Sequence, residues 1–293
     1  MIHWTHGGAV TTPTTVQIRL ASQNLPTLQA KAPIPVRRLS KTEFLRNLEY
    51  FHIGLHGPRS IPCTAVTISG MDTENIQYIE ELRNHKYFAY NSLHIDYQLD
   101  LWAYLETVQD CFDKISLPIP STLDRETWTH IEKIPTWSVP STNFILSLAN
   151  PNKESIEEFI QRYHPLVQWA KQHDWQLICS YPFPTNSTVS PLSPKDCAIF
   201  ISYLHREKLP RSPILKGIPS CVLNTPSLQT SKTSNRWYVD AEHQLQQALL
   251  FFPEIMQFYK SDNCRFCALD HQCDGFFAEY LRYFDVNLQP VYV

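Results

Sequence analysis

Apolar residues follow two rhythms along the chain. In ENIQYIEELRNHKYFAY, Ile76, Ile79 and Leu82 recur at helical spacing. LDLWAYLETVQDCFDKI and SIEEFIQRYHPLVQWAKQHD repeat that spacing over longer stretches. Between them lie short apolar, β-branched runs: PCTAVTISGMD, in which Ala65–Ile68 stops at Gly70, then SLHID, TNFILSLAN and WQLICSYPFP. Upstream, RRLSKTEFLRNLEYFHIGLHG offers Ser40 as a cap, a short helix, and a first strand at Tyr50–Leu55. Strands alternating with such helices predict βα units on a parallel sheet between Leu48 and Leu209.

This pattern divides the chain. Residues 1–40 are polar and dotted with proline, and are expected as an arm or edge strand outside the core. Residues 41–210 carry the α/β body. Residues 211–293 form a looser C-terminal extension: a helix over AEHQLQQALLFFPEIMQFY broken near Pro253, a cysteine-rich stretch, and FFAEYLRYF.

Composition narrows the function classes. Of 293 residues, 43% are hydrophobic and 18% charged, which favours a buried core over disorder. A net charge of −3 gives no basic footprint for nucleic acid. Glycines number 7 against 22 prolines, and no Gly-x-Gly-x-x-Gly or Gly-x4-Gly-Lys-Ser/Thr pattern occurs, so a nucleotide site of those kinds has no support. MIHWTHGGAVTTPTT lacks a basic, then apolar, leader, and no apolar run reaches the ~20 residues of a membrane helix. A cytoplasmic setting is therefore expected, in which 8 cysteines are thiols or metal ligands rather than disulfides.

The densest chemistry is CRFCALDHQCDGF. Cys264, Cys267 and Cys273 stand at Cys-x2-Cys-x5-Cys, close enough for one turn and one loop to aim three sulfurs at one site. The Asp274-Gly275 that follows suits a tight turn. A fourth ligand completes either a tetrahedral zinc site or an iron–sulfur cluster. His271 inside the loop and Cys221 upstream both qualify. Cys111, Cys179 and Cys197 lie in apolar helical or strand stretches and are expected as core thiols, while Cys63 sits at a strand mouth after Pro62.

From Pro219 onward the chain resembles the C-terminal region of radical S-adenosylmethionine (SAM) enzymes, above all those that modify peptides. The matching features are Pro219-Ser220-Cys221, then Cys264, Cys267, Cys273 and Gly275, the aromatic pair Phe276-Phe277, Tyr280 and Pro290. The resemblance reaches back to about residue 45. SIEEFIQRYHPLVQWAKQHDWQLICSYPFPTN is similar to a helix–strand unit of the family's barrel, and AVTISGMD stands where the family has a strand ending in Gly-Gly-Glu. It implies an α/β fold, a partial (β/α) TIM-like barrel of radical SAM type with a cysteine-rich auxiliary-cluster extension. It also implies a 4Fe–4S cluster held by Cys221, Cys264, Cys267 and Cys273.

One departure matters most for function. The family needs Cys-x3-Cys-x2-Cys after its first strand, where three thiolates leave one iron open to SAM. After the strand expected at Tyr50–Leu55 there is only Cys63, and Gly70-Met71-Asp72 replaces Gly-Gly-Glu. SAM cleavage by that route is not expected, so the chain is not expected to be an active radical SAM enzyme by itself. What remains at strand ends is polar: His56 and Arg59, Asp72, His94 and Asp96, Asn150, and Tyr181. His52, His56, His94 and Asp96 suit a metal or acid–base work, and Arg59 in HGPRS suits a carboxylate or peptide backbone. Surface histidines and a structural salt bridge account for the same residues. The expected role is a partner of a precursor peptide or of an active radical SAM enzyme. Two alternatives stand beside it: a metal-dependent enzyme acting without SAM, and a zinc-stapled interaction protein.

Overall fold

The fold is that of a computed structural model, which describes residues 8–11, 15–20, 38–55, 61–84, 86–95, 99–120, 123–134, 139–182, 190–223, 237–239, 245–247 and 258–292. It forms two compact units. The first gathers Met1–Pro118, Arg125–Thr142 and Asn235–Phe251; the second gathers Ile119–Asp124, Asn143–Ser234 and Phe252–Val293.

In the first unit, strands β2 (Thr15–Arg19), β3 (Ala65–Ser69), β4 (Tyr90–His94) and β5 (Lys114–Ile119) pair parallel in chain order. Strand β1 (Gly8–Thr11) pairs antiparallel with β2, and β9 (Trp237–Val239) and β10 (Leu245–Gln247) extend that side antiparallel. Helix α1 (Lys41–His52) carries the chain from β2 to β3. Its Ser40 cap is a reciprocal box: Ser40 Oγ accepts from the Glu43 N–H at 3.2 Å, and the Glu43 carboxylate accepts from the Ser40 N–H at 2.7 Å. Phe44, Leu48 and Phe51 then fall on one buried face. A 3₁₀ turn at Ile76–Glu80 leads into the short α2 (Glu81–Asn84), and α3 (Leu99–Val108) and α4 (Arg125–Lys133) follow β4 and β5.

The second unit holds β6 (Ser141–Ser147), β7 (Gln176–Ser180) and β8 (Ile214–Lys216), again parallel in chain order. Helix α5 (Ile156–Gln172) crosses from β6 to β7 and buries Phe159, Tyr163, Leu166, Val167 and Ala170. Helix α6 (Pro194–Arg206) crosses from β7 to β8, with Ser193 as cap and Pro194 in the first turn, where a missing N–H costs nothing. A small antiparallel pair, β11 (Phe258–Tyr259) with β12 (Phe276–Phe277), belongs to the same unit.

The class is therefore α/β. Parallel strands joined through helices are the repeat a partial TIM-like barrel uses, and the expectation of such a barrel is compatible with both units. Among the described residues no helix is long and apolar enough to cross a membrane.

Four expectations are corrected. Residues 15–20 are not an outlying arm: Val16, Ile18 and Leu20 are buried, because β2 pairs with β3 along its whole length. Tyr50–Leu55 is not a strand. The helix runs through His52 because Phe51 completes its buried face, and Ile53 and Leu55 are left 57% and 61% exposed. Lys114 and Ile115, expected as the end of a helix, instead open the strand Lys114–Ile119, whose Ile115, Leu117 and Ile119 alternate inward. Within the helix expected over residues 241–259, Leu245–Gln247 and Phe258–Tyr259 are strands, because each finds an antiparallel partner.

Candidate metal centre

Strand β8 ends at Gly217, whose φ of +80° turns the chain away from the strand. A Cβ there would lie 3.1 Å from both the Phe277 ring and the Tyr181 carbonyl oxygen, so glycine is what the packing admits. The chain then passes Pro219 into a 3₁₀ turn, Ser220–Leu223, that carries Cys221. Cys221 thus sits just beyond the C-terminal end of a parallel strand, the end where barrel folds place their sites.

The other three cysteines come from two short 3₁₀ turns, Asp262–Phe266 and Asp270–Gln272. Cys264 is inside the first, and Cys267 closes it by donating its N–H to the Cys264 carbonyl at 2.9 Å. Cys273 closes the second. Gly275, at φ +100°, returns the chain to β12; a Cβ there would collide with the Tyr259 carbonyl oxygen. The Ala268 N–H, bonded to the Val291 carbonyl at 2.9 Å, ties the C-terminal segment to this loop.

Together these pieces bring Cys221, Cys264, Cys267 and Cys273 onto one cavity of about 380 Å³, counted with the open solvent at its mouth. Pro219, Leu269, Leu288 and Val291 supply much of the remaining lining. Three sulfurs have hydrogen-bond partners within the fold, two of them backbone N–H donors. The Gly275 N–H points at Cys273 Sγ and the Val291 N–H at Cys267 Sγ, each at 3.3 Å, and Ser261 Oγ lies 3.4 Å from Cys264 Sγ. Lys260 Nζ donates to the Asp270 carbonyl oxygen at 3.1 Å and to its carboxylate at 2.6 Å, at the rim of the same cavity.

The electrostatics follow from this crowding. Burial pushes the Cys221 thiol up to about 11, and the neighbouring Cys273, Cys264 and Cys267 add to the rise. Burial also raises Cys273, opposed by the Gly275 N–H and the Lys260 charge. The lining thiols are half-buried, whereas Cys63, Cys111, Cys179 and Cys197 are buried in the two cores. Cys63, at the mouth of β3 just after Pro62, is only 2% exposed, and its N–H is bonded to the Phe51 carbonyl at 2.9 Å.

Among the described residues no three His, Cys, Asp or Glu side chains form a group that could hold a metal ion as they stand. The four sulfurs line one shared cavity. Zinc takes four such sulfurs at ~2.3 Å each. A 4Fe–4S cluster also takes four thiolates, one to each iron, and N–H donors to sulfur are part of how proteins hold such clusters. The donor set fits that group: four cysteines, three of them hydrogen-bonded, and an apolar lining.

The remaining candidates do not gather in this way. His271 is exposed, 2.8 Å from the Gln272 amide nitrogen, and lies outside the cavity lining. Asp72 is engaged locally: its Oδ1 accepts from the Glu74 and Asn75 N–H groups at 3.0 and 3.1 Å, and its Oδ2 pairs with Arg38. Asn150 bridges its own loop, exchanging hydrogen bonds with the Glu154 backbone at 2.7 and 3.0 Å. Tyr181 is buried at 1% exposure; its hydroxyl donates to the Leu192 carbonyl at 2.8 Å, and its ring packs on Phe276 and Tyr280. His94 ends β4, and His52 lies against the rings of Tyr87 and Phe88. His56, Arg59 and Asp96 fall outside the described residues.

Sequence reasoning left Lys260, the Ser261 hydroxyl and the Val291 N–H unremarked. A lysine a few residues before a Cys-x2-Cys was the available signal for the first; the other two have none. No protein-family model matches this chain, and no curated protein matches it.

Proposed function

We propose that this chain is a degenerate radical SAM-like protein that holds one auxiliary 4Fe–4S cluster through Cys221, Cys264, Cys267 and Cys273. It works as the peptide-binding or partner component of a peptide-maturation pathway. The observation that carries this reading is the meeting of Cys221 with the three clustered cysteines on one apolar cavity. Two further features support it. The parallel strands with helical crossovers are what the resemblance implies. The corrected first parallel strand, β2, is followed by the sequence ASQNLPTLQAKAPIPVRRL, which contains no cysteine, so the segment that the family uses for its SAM-binding cluster offers no thiolate here.

What the protein itself contributes can be stated residue by residue. The four sulfurs are the ligands; Gly275, Val291 and Ser261 orient three of them; Leu269 and Leu288 limit water. A bound cluster would supply a one-electron couple, or an anchor for the C-terminal segment, to whichever protein the chain pairs with. The test is purification without oxygen, with iron, sulfide and the visible spectrum measured, followed by binding assays with an active radical SAM enzyme and with a precursor peptide encoded beside this chain. Iron and sulfide lost in Cys221→Ala, with binding to either partner, support the reading. A zinc-only protein refutes the cluster, and iron with no binding to either partner refutes the role.

A further inference from the structure

We propose that Lys260 is a positioning residue that sets the reduction potential of the centre by holding one fixed positive charge at its rim. The inference rests on the cluster reading above and adds a control element to it. Lys260 follows β11 directly, so the Tyr259–Phe276 register fixes where its side chain begins. Its stem passes over Gly275: Lys260 Cγ would lie 3.0 Å from a Cβ at that position, so the missing side chain gives the lysine its path. Its ammonium reaches across to the Asp270 carbonyl and carboxylate, between Cys267 and Cys273 in the chain. Two of its three N–H bonds are spent there.

That arrangement is more than a surface ion pair. Lys260 and Asp270 both line the four-cysteine cavity, and the lysine side chain is only 30% exposed. Four thiolate ligands make a strongly anionic centre, and one added electron makes it more anionic still. A fixed cation favours that reduced state, so its removal lowers the midpoint potential. Asp270 holds the ammonium in place and, as an anion, acts in the opposite direction. Asp274 is a second anion acting on Cys273.

The experiment is an electrode-mediated titration of the anaerobically purified full chain beside K260M, K260R and D270N, with iron and sulfide measured for each. K260M should keep its iron and show about a tenfold lower reduced-to-oxidised ratio at a given potential, about 59 mV for one electron. K260R should match the wild type, and D270N should move the other way. An unchanged midpoint in K260M with iron retained would overturn the proposal. So would a fall in D270N equal to that in K260M, which would mark the tether rather than the charge as the active feature. If K260M cannot retain iron, the K260R and D270N midpoints decide by the same criteria. A wild type that binds no iron overturns the cluster reading along with this one, and the iron assay separates that outcome from a failure of Lys260 alone.

Discussion

The clearest division at the scale of residues is between two sets of four cysteines. Cys221, Cys264, Cys267 and Cys273 line a cavity, while Cys63, Cys111, Cys179 and Cys197 are buried. In native protein stripped of metal, a maleimide should therefore label the four lining thiols before the buried four, with Cys221 and Cys273 the slower of the lining set because burial keeps them protonated, and the buried four reacting only after denaturation; mass mapping of the labelled sites checks this. Burial holds the Cys179 thiol at about 12, against an ordinary value of 9.0. Because the folded value is raised, the buried neutral thiol stabilises fully below pH ~9, and that contribution is lost as pH rises through about 12. The denaturant midpoint should fall across that interval, and the slope should be shallower in Cys179→Ala. Gly275→Ala should abolish metal retention, since its Cβ has no room beside Tyr259 and its φ is strained for any other residue.

Elements differ in how openly the sequence announces them. Helix α5 was legible because its cap, its acidic first turn and a full buried stripe agree, and Ser155 and Glu158 form the same reciprocal box as in α1. Ser155→Ala should cost about 1 kcal/mol and Leu166→Ala about 2–5 kcal/mol in chemical denaturation. Strands β3, β4, β6 and β7 were legible as apolar runs. Strand β2 was hidden because TVQIR is short and set among prolines, and only its pairing with β3 makes it a core strand. Strand β5 was hidden by Pro118 and by the helical pattern running into it. The apolar tail FHIGL read as a strand although its Phe51 belongs to a helical face. At the candidate metal centre, spacing alone pointed to three cysteines. The fourth depended on where β8 ends and how Gly217 turns, which local pattern does not encode.

For the molecule as a whole, the C-terminal extension divides: residues 211–234 and 252–293 belong to the unit that contains β7 and β8, and residues 235–251 to the other unit. Phe276, Phe277 and Tyr280 are buried, and the Tyr280 hydroxyl donates to the Pro182 carbonyl at 3.0 Å beside the Tyr181 ring. Tyr280→Phe should lose about 1 kcal/mol through that hydrogen bond, and Tyr280→Ala about 3–5 kcal/mol through the cavity it leaves. The same packing brings Cys221, beyond a parallel strand, onto one cavity with the cysteines of the terminal loop, so that cavity forms only when the second unit is folded. The central claim is that four cysteines hold an iron–sulfur cluster there. Its most direct measurement is iron, sulfide and zinc per chain in protein purified without oxygen, wild type beside Cys221→Ala. The account predicts about four irons and four sulfides with visible absorbance in the wild type, as for a Cys₄-ligated 4Fe–4S centre, and their loss in the variant. One zinc per chain without visible absorbance, or iron unaffected by losing Cys221, would contradict it.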